Sequence, residues 1–216
     1  MEKSNNELIS SLTHFIGALF SVAGLVLLII FSSLYGSAPK IVGFSIFGSG
    51  LVLLYSASAL YHFISKEHRA KAVFKTIDYS MIYVLIASTY TPLMLAIPQR
   101  GWGWSLFGIA WGLAFAGILY RIFSKAERDW FSPTLFIIMG WLAALALPVL
   151  LQSIPWSGLS WLIAGGILYT AGVVFFALEK KFPRTGWFGM HEIFHLFVMG
   201  GSLAHFWFMF KYVLYV

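Results

Sequence analysis

Long apolar stretches separated by short polar segments run through the whole chain. A helix needs about 20 apolar residues to cross the roughly 30 Å hydrocarbon core of a bilayer. Seven stretches come close to that length: Leu12–Leu34, Ile41–Ile64, Thr76–Ile97, Trp104–Phe123, Pro133–Leu151, Gly158–Leu178 and Phe188–Phe210. The pattern predicts an all-α membrane protein built as a seven-transmembrane-helix bundle.

The segments between the seven stretches are too short to form a soluble domain. We therefore expect residues 1–216 to fold as a single seven-transmembrane domain. Hydrophobic residues make up 60% of the chain and charged residues 10%, whereas a soluble domain carries about a quarter charged residues. This composition excludes a water-soluble enzyme and a disordered chain, and it means that the net charge of +6 does not indicate nucleic-acid binding. The chain contains no cysteine, which excludes thiolate catalysis and cysteine metal ligands.

The basic residues predict the orientation of the chain in the membrane. Eleven of the 14 lysines and arginines fall on the side of the amino terminus: Lys3, Lys66, Arg69, Lys71, Lys75, Arg121, Lys125, Arg128, Lys180, Lys181 and Arg184. The other three, Lys40, Arg100 and Lys211, fall on the opposite side. Because loops rich in lysine and arginine stay in the cytoplasm, we expect a cytoplasmic amino terminus, an external carboxyl terminus and a multi-pass protein of the cell membrane.

Most ionisable residues within the predicted spans lie near one membrane face. His62 lies near the end of the second span, and Asp78 lies near the start of the third. His191 and His195 lie in the first turns of the seventh span. At 1.5 Å per helical residue, all four fall within roughly 12 Å of the face that we predict to be cytoplasmic. His205 lies about 15 Å deeper than His195, which is too far for the two to share a small site.

The spacing of these residues favours a metal site. His191 and His195 are i, i+4 and project from one side of a helix, as two ligands of one ion must. Ser58 precedes His62 by the same interval, which places a hydroxyl beside that histidine. Three neutral imidazoles and a water form a common open zinc site, and a carboxylate such as Asp78 can orient the water. The spacing leaves one alternative open, in which buried histidines pack and hydrogen-bond without a metal.

The same residues belong to a family pattern. It consists of the segments Ser58–His62, Phe74–Tyr79, Tyr90–Pro92 and His191–His195, together with Thr13–Ala18 and His205–Phe206. In their order and placement these segments resemble the hemolysin III-type bacterial branch of the progestin and adipoQ receptor family. The resemblance covers essentially the whole chain.

The resemblance implies a zinc ion, Zn²⁺, held by His62, His191 and His195. It also implies that Asp78 lies near the zinc-bound water and that Ser58 lies close by, so these two residues are the candidates for catalysis. The wider group to which the family belongs contains membrane hydrolases with the same arrangement of one serine, one aspartate and three histidines. Receptor members are linked to lipid hormones and ceramide hydrolysis. Bacterial members are named for hemolysis and are also linked to membrane lipid and energy homeostasis.

The segment His191–His195 also reads H-E-x-x-H, the helix of zinc proteases in which the glutamate is the general base. The metzincin continuation fails because Val198 stands where a glycine is needed. Intramembrane proteases of this type take a downstream acidic ligand, and no acidic residue follows His195. We therefore expect Glu192 to be a pore-side or interfacial partner rather than a proteolytic base.

Two function classes fit these residues. One is a zinc-dependent hydrolase of lipid amides or esters that acts in membrane lipid homeostasis. The other is a non-enzymatic membrane sensor in which a structural zinc joins helices. Both classes place the protein in the lipid bilayer with a lipid as substrate or ligand, whereas seven continuous hydrophobic spans disfavour a pore-forming hemolysin.

Two further features are expected to be architectural. Pro92 removes one intrahelical hydrogen bond and should bend the third span, with the hydroxyls of Thr89 and Thr91 satisfying the freed backbone. Gly108 and Gly112 belong to a stripe of small residues that permits close helix contact. We expect this stripe to pack inside the bundle rather than at a dimer seam.

Overall fold

The protein is a bundle of long helices. The computed structural model describes residues 7–124, 130–179, 181–182 and 188–216. In these ranges the α-helices are α1 (Leu8–Tyr35), α2 (Ala38–Phe63), α3 (Lys71–Ala96), α4 (Arg100–Phe123), α5 (Phe131–Gly140), α6 (Leu147–Leu150), α7 (Trp156–Leu178) and α8 (Met190–Lys211), and the 3₁₀ helices are Trp141–Ala146 and Val213–Tyr215. Seven segments are long and apolar enough to cross a membrane: α1 to α4, Phe131–Leu150, α7 and Met190–Tyr215. The predicted seven-transmembrane-helix architecture is confirmed.

The helix boundaries keep the candidate site residues near helix ends. α2 ends at Phe63, one residue after His62. α3 begins at Lys71, five residues before the start of the predicted span, so that Asp78 lies about two turns into the helix. α8 begins at Met190, which makes His191 its second residue. The ends of three helices therefore bring the polar residues to one end of the bundle, which we call the site end.

The fifth span is broken, which the hydrophobic pattern does not predict. α5 ends at Gly140, the 3₁₀ helix Trp141–Ala146 follows, and α6 completes the span. A change from α-helical to 3₁₀ geometry releases backbone groups that need partners inside a membrane. Tyr90 of α3 supplies them: its hydroxyl lies 2.8 Å from the carbonyl oxygens of Met139 and Gly140 and accepts a 2.9 Å hydrogen bond from the Ala143 N–H.

Replacing Tyr90 with phenylalanine is expected to destabilise the protein by about 1–3 kcal/mol, because these backbone groups would lose a buried partner. The change removes one oxygen and keeps the ring. The measurement is the midpoint of thermal or denaturant unfolding in detergent. Tyr35→Phe is the matched control, since Tyr35 is exposed, and an equal loss in both variants would contradict the role of Tyr90.

Two architectural expectations are wrong. Thr89 and Thr91 donate to the carbonyls of Leu85 and Ala87, at 2.8 and 3.1 Å, and not to the Ser88 carbonyl that Pro92 releases. The stripe on α4 faces outward, since Gly108 and Gly112 are exposed and a Cβ there would have no described atom within 4 Å. Hydrophobicity alone does not show which side of a helix faces lipid, because both sides are apolar.

The core of the bundle is built on α2 and α3. α2 packs along α1 and α3, and α8 packs against α7 and α1. Phe44 and Phe47 of α2, Tyr83 of α3 and Phe208 of α8 are fully buried. The close packing of α1, α2, α3 and α8 fixes the relative positions of the side chains at the site end.

Candidate metal centre

Three histidines from two helices form a cluster at the site end. His62 comes from the last turn of α2, and His191 and His195 come from the first two turns of α8. One nitrogen of each ring lies within 4.8 Å of the corresponding nitrogens of the other two. His62 and His195 are buried and His191 is half-buried. The residues that the sequence singles out as metal ligands are thus brought together.

Hydrogen bonds on the outer side of the rings determine which nitrogens are free. The Thr13 hydroxyl donates its one proton to the Ser10 carbonyl, at 2.9 Å, and lies 3.1 Å from Nδ1 of His195. Thr13 can therefore only accept from His195, so the proton of that ring is on Nδ1. Likewise, Nδ1 of His191 lies 3.1 Å from Oε2 of Glu179, and a carboxylate accepts the ring proton. Both rings are left with Nε2 as the unprotonated nitrogen.

The cluster fits a transition-metal ion. Nε2 of His62 lies 3.1 Å from Nε2 of His191. Two nitrogens bound to one tetrahedral zinc at 2.0–2.1 Å are about 3.3 Å apart, so the observed separation is close to that of a ligand pair. Imidazole nitrogens are ligands that suit zinc, copper, iron and nickel. Among the residues that the structure describes, the cluster comprises these three histidines and no fourth ligand.

Asp78 and Ser58 lie together, within electrostatic range of His191. Both side chains are buried, and the Ser58 hydroxyl is a hydrogen-bonding partner of the Asp78 carboxyl. His191 is near enough to interact electrostatically with the carboxyl, as are the cations of Arg121 and Lys71. The Asp78 carboxyl is thus paired with the Ser58 hydroxyl and lies within electrostatic range of one of the three imidazoles, that of His191.

Glu7, the residue before α1, and the first turns of α1 contribute contacts that were not predicted from the sequence. Glu7 forms an ion pair with Lys71, and its carboxylate lies 3.9 Å from Nδ1 of His62. Thr13 bonds His195, and Ser10 bonds a glutamate of α8. The polar residues at positions 7, 10, 13 and 14 recur at helical spacing, which was the available signal that one face of α1 borders the site.

Glu192 stabilises the start of α8. It is completely buried; its carboxylate accepts a 2.5 Å hydrogen bond from the Ser10 hydroxyl and a 2.8 Å bond from the Gly189 N–H. The carboxylate thus caps its own helix and ties it to α1 at the interface between the two helices. His205 lies outside the cluster, with Nε2 3.1 Å from the Leu162 carbonyl oxygen.

Glu179→Gln is expected to lower metal affinity about 10- to 100-fold, because outer carboxylates orient ligating histidines and increase their basicity. Zinc binding to the purified protein, measured by competition with a chelating dye, checks this expectation. Lys181→Gln is the control, since Lys181 lies two residues further along and has no described contact with the cluster. Equal affinities of wild type and Glu179→Gln would show that the 3.1 Å contact with His191 does not support the site.

Comparisons with known proteins connect these residues to a family. The family described as "Haemolysin-III related" matches residues 2–206. "Hemolysin-3" of Bacillus cereus is 41% identical over 208 residues, which cover 96% of this chain and 92% of that protein. "Hemolysin-3 homolog" of Bacillus subtilis (strain 168) is 43% identical over 200 residues, covering 93% and 91%. "Monocyte to macrophage differentiation factor" of Homo sapiens is 27% identical over 172 residues, covering 78% and 69%.

Proposed function

The chain belongs to the haemolysin III-related family, as a hemolysin III-type member of the progestin and adipoQ receptor family, and from this starting point we propose that it is a zinc-dependent membrane hydrolase. Its substrates are lipids with an amide or ester bond, and it acts in membrane lipid homeostasis. The proposal rests on the residues of the site end and on the membrane location of the chain.

The observation that carries the proposal is the set of three histidines without a fourth described protein ligand. Structural zinc sites in proteins are closed by four protein ligands, whereas catalytic sites have three and keep one position for water or substrate. His62, His191 and His195 would hold the zinc. The bound metal would polarise a carbonyl and lower the pKa of its water, which is the chemistry that hydrolysis of an amide or ester needs.

Asp78 and Ser58 supply the remaining chemistry. Asp78 accepts the proton of the attacking water, whose oxygen adds to the acyl carbon of the lipid. Asp78 then passes this proton to the amine or alcohol as its bond to the acyl carbon breaks, and the products are a fatty acid and that amine or alcohol. Ser58 orients the Asp78 carboxyl by the hydrogen bond between them.

The position of the cluster suits a lipid substrate. His62 lies one residue from the end of α2, and His191 is the second residue of α8. A helix end in a membrane protein lies near the boundary between the hydrocarbon and the headgroups. The amide and ester linkages of membrane lipids lie at this same boundary, so a lipid can present its scissile bond without leaving the bilayer.

A structural zinc in a membrane sensor is the second candidate. The observation that favours it is that the cluster joins α2 to α8, two helices far apart in the chain. An intramembrane protease is not proposed, because Glu192 is bonded to Ser10 and Gly189 at the start of α8.

The experiment is a hydrolysis assay with purified protein in lipid nanodiscs. We expect zinc-loaded protein to release fatty acid from at least one member of a panel of N-acyl and ester lipids, as measured by mass spectrometry. Removing zinc with a chelator should stop the release, and adding zinc should restore it. Absence of release from every lipid of the panel by zinc-loaded protein would favour the sensor instead.

We further propose that the site end faces the cytoplasm, on the count of basic residues. Lys3, Lys125, Arg128, Lys180 and Arg184, which contribute to that count, lie outside the described residues. A topology reporter inserted next to Lys71 is expected to report from the cytoplasm, and one fused after Val216 from outside. Both reporters on the same side would contradict this orientation.

A further inference from the structure

His14 is a buried histidine at the site end that the proposed reaction does not use. It lies in the second turn of α1 and is only 3% exposed. Its ring is parallel to the ring of His195, with centroids 3.5 Å apart and planes 11° apart. Tyr55 contacts it edge-on, with centroids 5.0 Å apart. Ring contacts therefore hold His14 in place.

Both ring nitrogens of His14 are buried without a hydrogen-bond partner among the described residues. A neutral imidazole has one N–H donor and one acceptor, and each costs folding free energy when it is buried unpaired. By contrast, His195 is paired with Thr13 through Nδ1, and His205 is paired with Leu162 through Nε2. A phenylalanine would keep the ring contacts of His14 without this cost, which indicates that its nitrogens serve a ligand.

The place for such a ligand is set by the ring of His195, the histidine of the cluster against which His14 stacks. His14 is near enough to interact electrostatically with His62, His191 and His195. His14 itself is not part of the cluster. It therefore lies against one ring of the cluster, while the preceding residue, Thr13, contacts His195 through Nδ1.

We propose that His14 is a substrate-binding residue that donates its ring N–H to the carbonyl oxygen of a lipid amide or ester bound at the cluster. This inference rests on the proposed function. A donor at this position stabilises the negative charge that develops on the carbonyl oxygen when water adds to the acyl carbon. It acts in addition to the proton transfer by Asp78 and makes no covalent bond.

Two substitutions distinguish the packing role of the His14 ring from the hydrogen-bonding role of its nitrogens. His14→Phe keeps a flat ring against His195 and removes both nitrogens, and His14→Gln restores an N–H donor. His205→Gln is the matched control, because His205 is also buried and has an unpaired Nδ1 but lies outside the cluster. Each variant is purified in nanodiscs, and its zinc content, melting temperature and kcat are measured. Its affinity for a fatty-acid hydroxamate, a metal-binding probe that contains a carbonyl oxygen, is measured as well.

We expect His14→Phe to keep its zinc and to melt at the wild-type temperature or above it. Its kcat should fall about 100-fold, as for the loss of one oxyanion donor, and its hydroxamate affinity about tenfold. His14→Gln should recover part of both losses, and His205→Gln should resemble wild type. Loss of zinc from His14→Phe would overturn the proposal, because His14 would then be a ligand or a support of the metal. Wild-type kcat and hydroxamate affinity in His14→Phe would also overturn it.

The hydroxamate distinguishes this inference from the proposed function. If zinc-loaded wild type binds the probe but hydrolyses no lipid, the hydrolase proposal fails. The affinity of His14→Phe still decides the role of His14 in that case. Weaker binding with full zinc supports carbonyl recognition by His14, and unchanged binding overturns it.

Discussion

Alanine at His62, His191 or His195 is expected to empty the metal centre, whereas purified wild type should carry about one zinc per chain. Each change removes one of three ligands and leaves two, so we expect zinc affinity to fall by about 100-fold or more. The measurement is the zinc content of protein purified without added chelator, with the affinity determined by competition. The three variants should behave alike because the three ring nitrogens lie within 4.8 Å of one another.

His205→Ala is the control for this series. It removes an imidazole from the same helix as His191 and His195, but His205 contacts the Leu162 carbonyl and not the cluster. It should therefore keep its zinc even if it melts at a lower temperature. If purified His205→Ala contained no zinc while His191→Ala retained it, the cluster would not be the metal site.

The parts of the fold that follow from hydrophobicity could be predicted from the sequence. Membrane spans are long apolar runs, so their number and approximate ends are visible in the chain. Helix geometry then converts position within a span into depth. That is why His62, Asp78 and His191 could be assigned to one layer and are found at one end of the bundle.

The parts that depend on helix rotation and on local backbone geometry could not be predicted. The break at Trp141–Ala146 lies in a sequence as apolar as its flanks, and the group that compensates it, Tyr90, is on another helix. The contact between Thr13 and His195 requires one face of α1 to turn toward α8. Gly108 faces outward although a small residue suits a packed interface equally well. Each of these depends on which faces of the helices meet.

The different roles of the two carboxylates at the site end could not be predicted from the sequence either. Asp78 and Glu192 lie at similar depth in their predicted spans, and Glu192 occupies the position that the base has in the H-E-x-x-H helix of zinc proteases. Their contacts separate them, since Glu192 bonds Ser10 and the Gly189 N–H, while Asp78 lies with Ser58 beside His191. These contacts support the proposal that Asp78 is the base, and the two carboxylates form a matched pair for testing it.

Asp78→Asn is expected to lower kcat about 100- to 10,000-fold, the range for removal of a general base, while the protein keeps its fold and its zinc. Asparagine has nearly the shape of aspartate and keeps one oxygen for Ser58, but it cannot take a proton from water. Glu192→Gln is the control: it should melt at a lower temperature, because a buried capping bond is weakened, and the folded fraction should turn over lipid at the wild-type rate. The measurements are kcat, zinc content and melting temperature of the same preparations. If activity in cells survives Asp78→Asn but is lost in His191→Ala, the zinc is structural and the protein acts as a sensor, since a structural ion needs its ligands but no base.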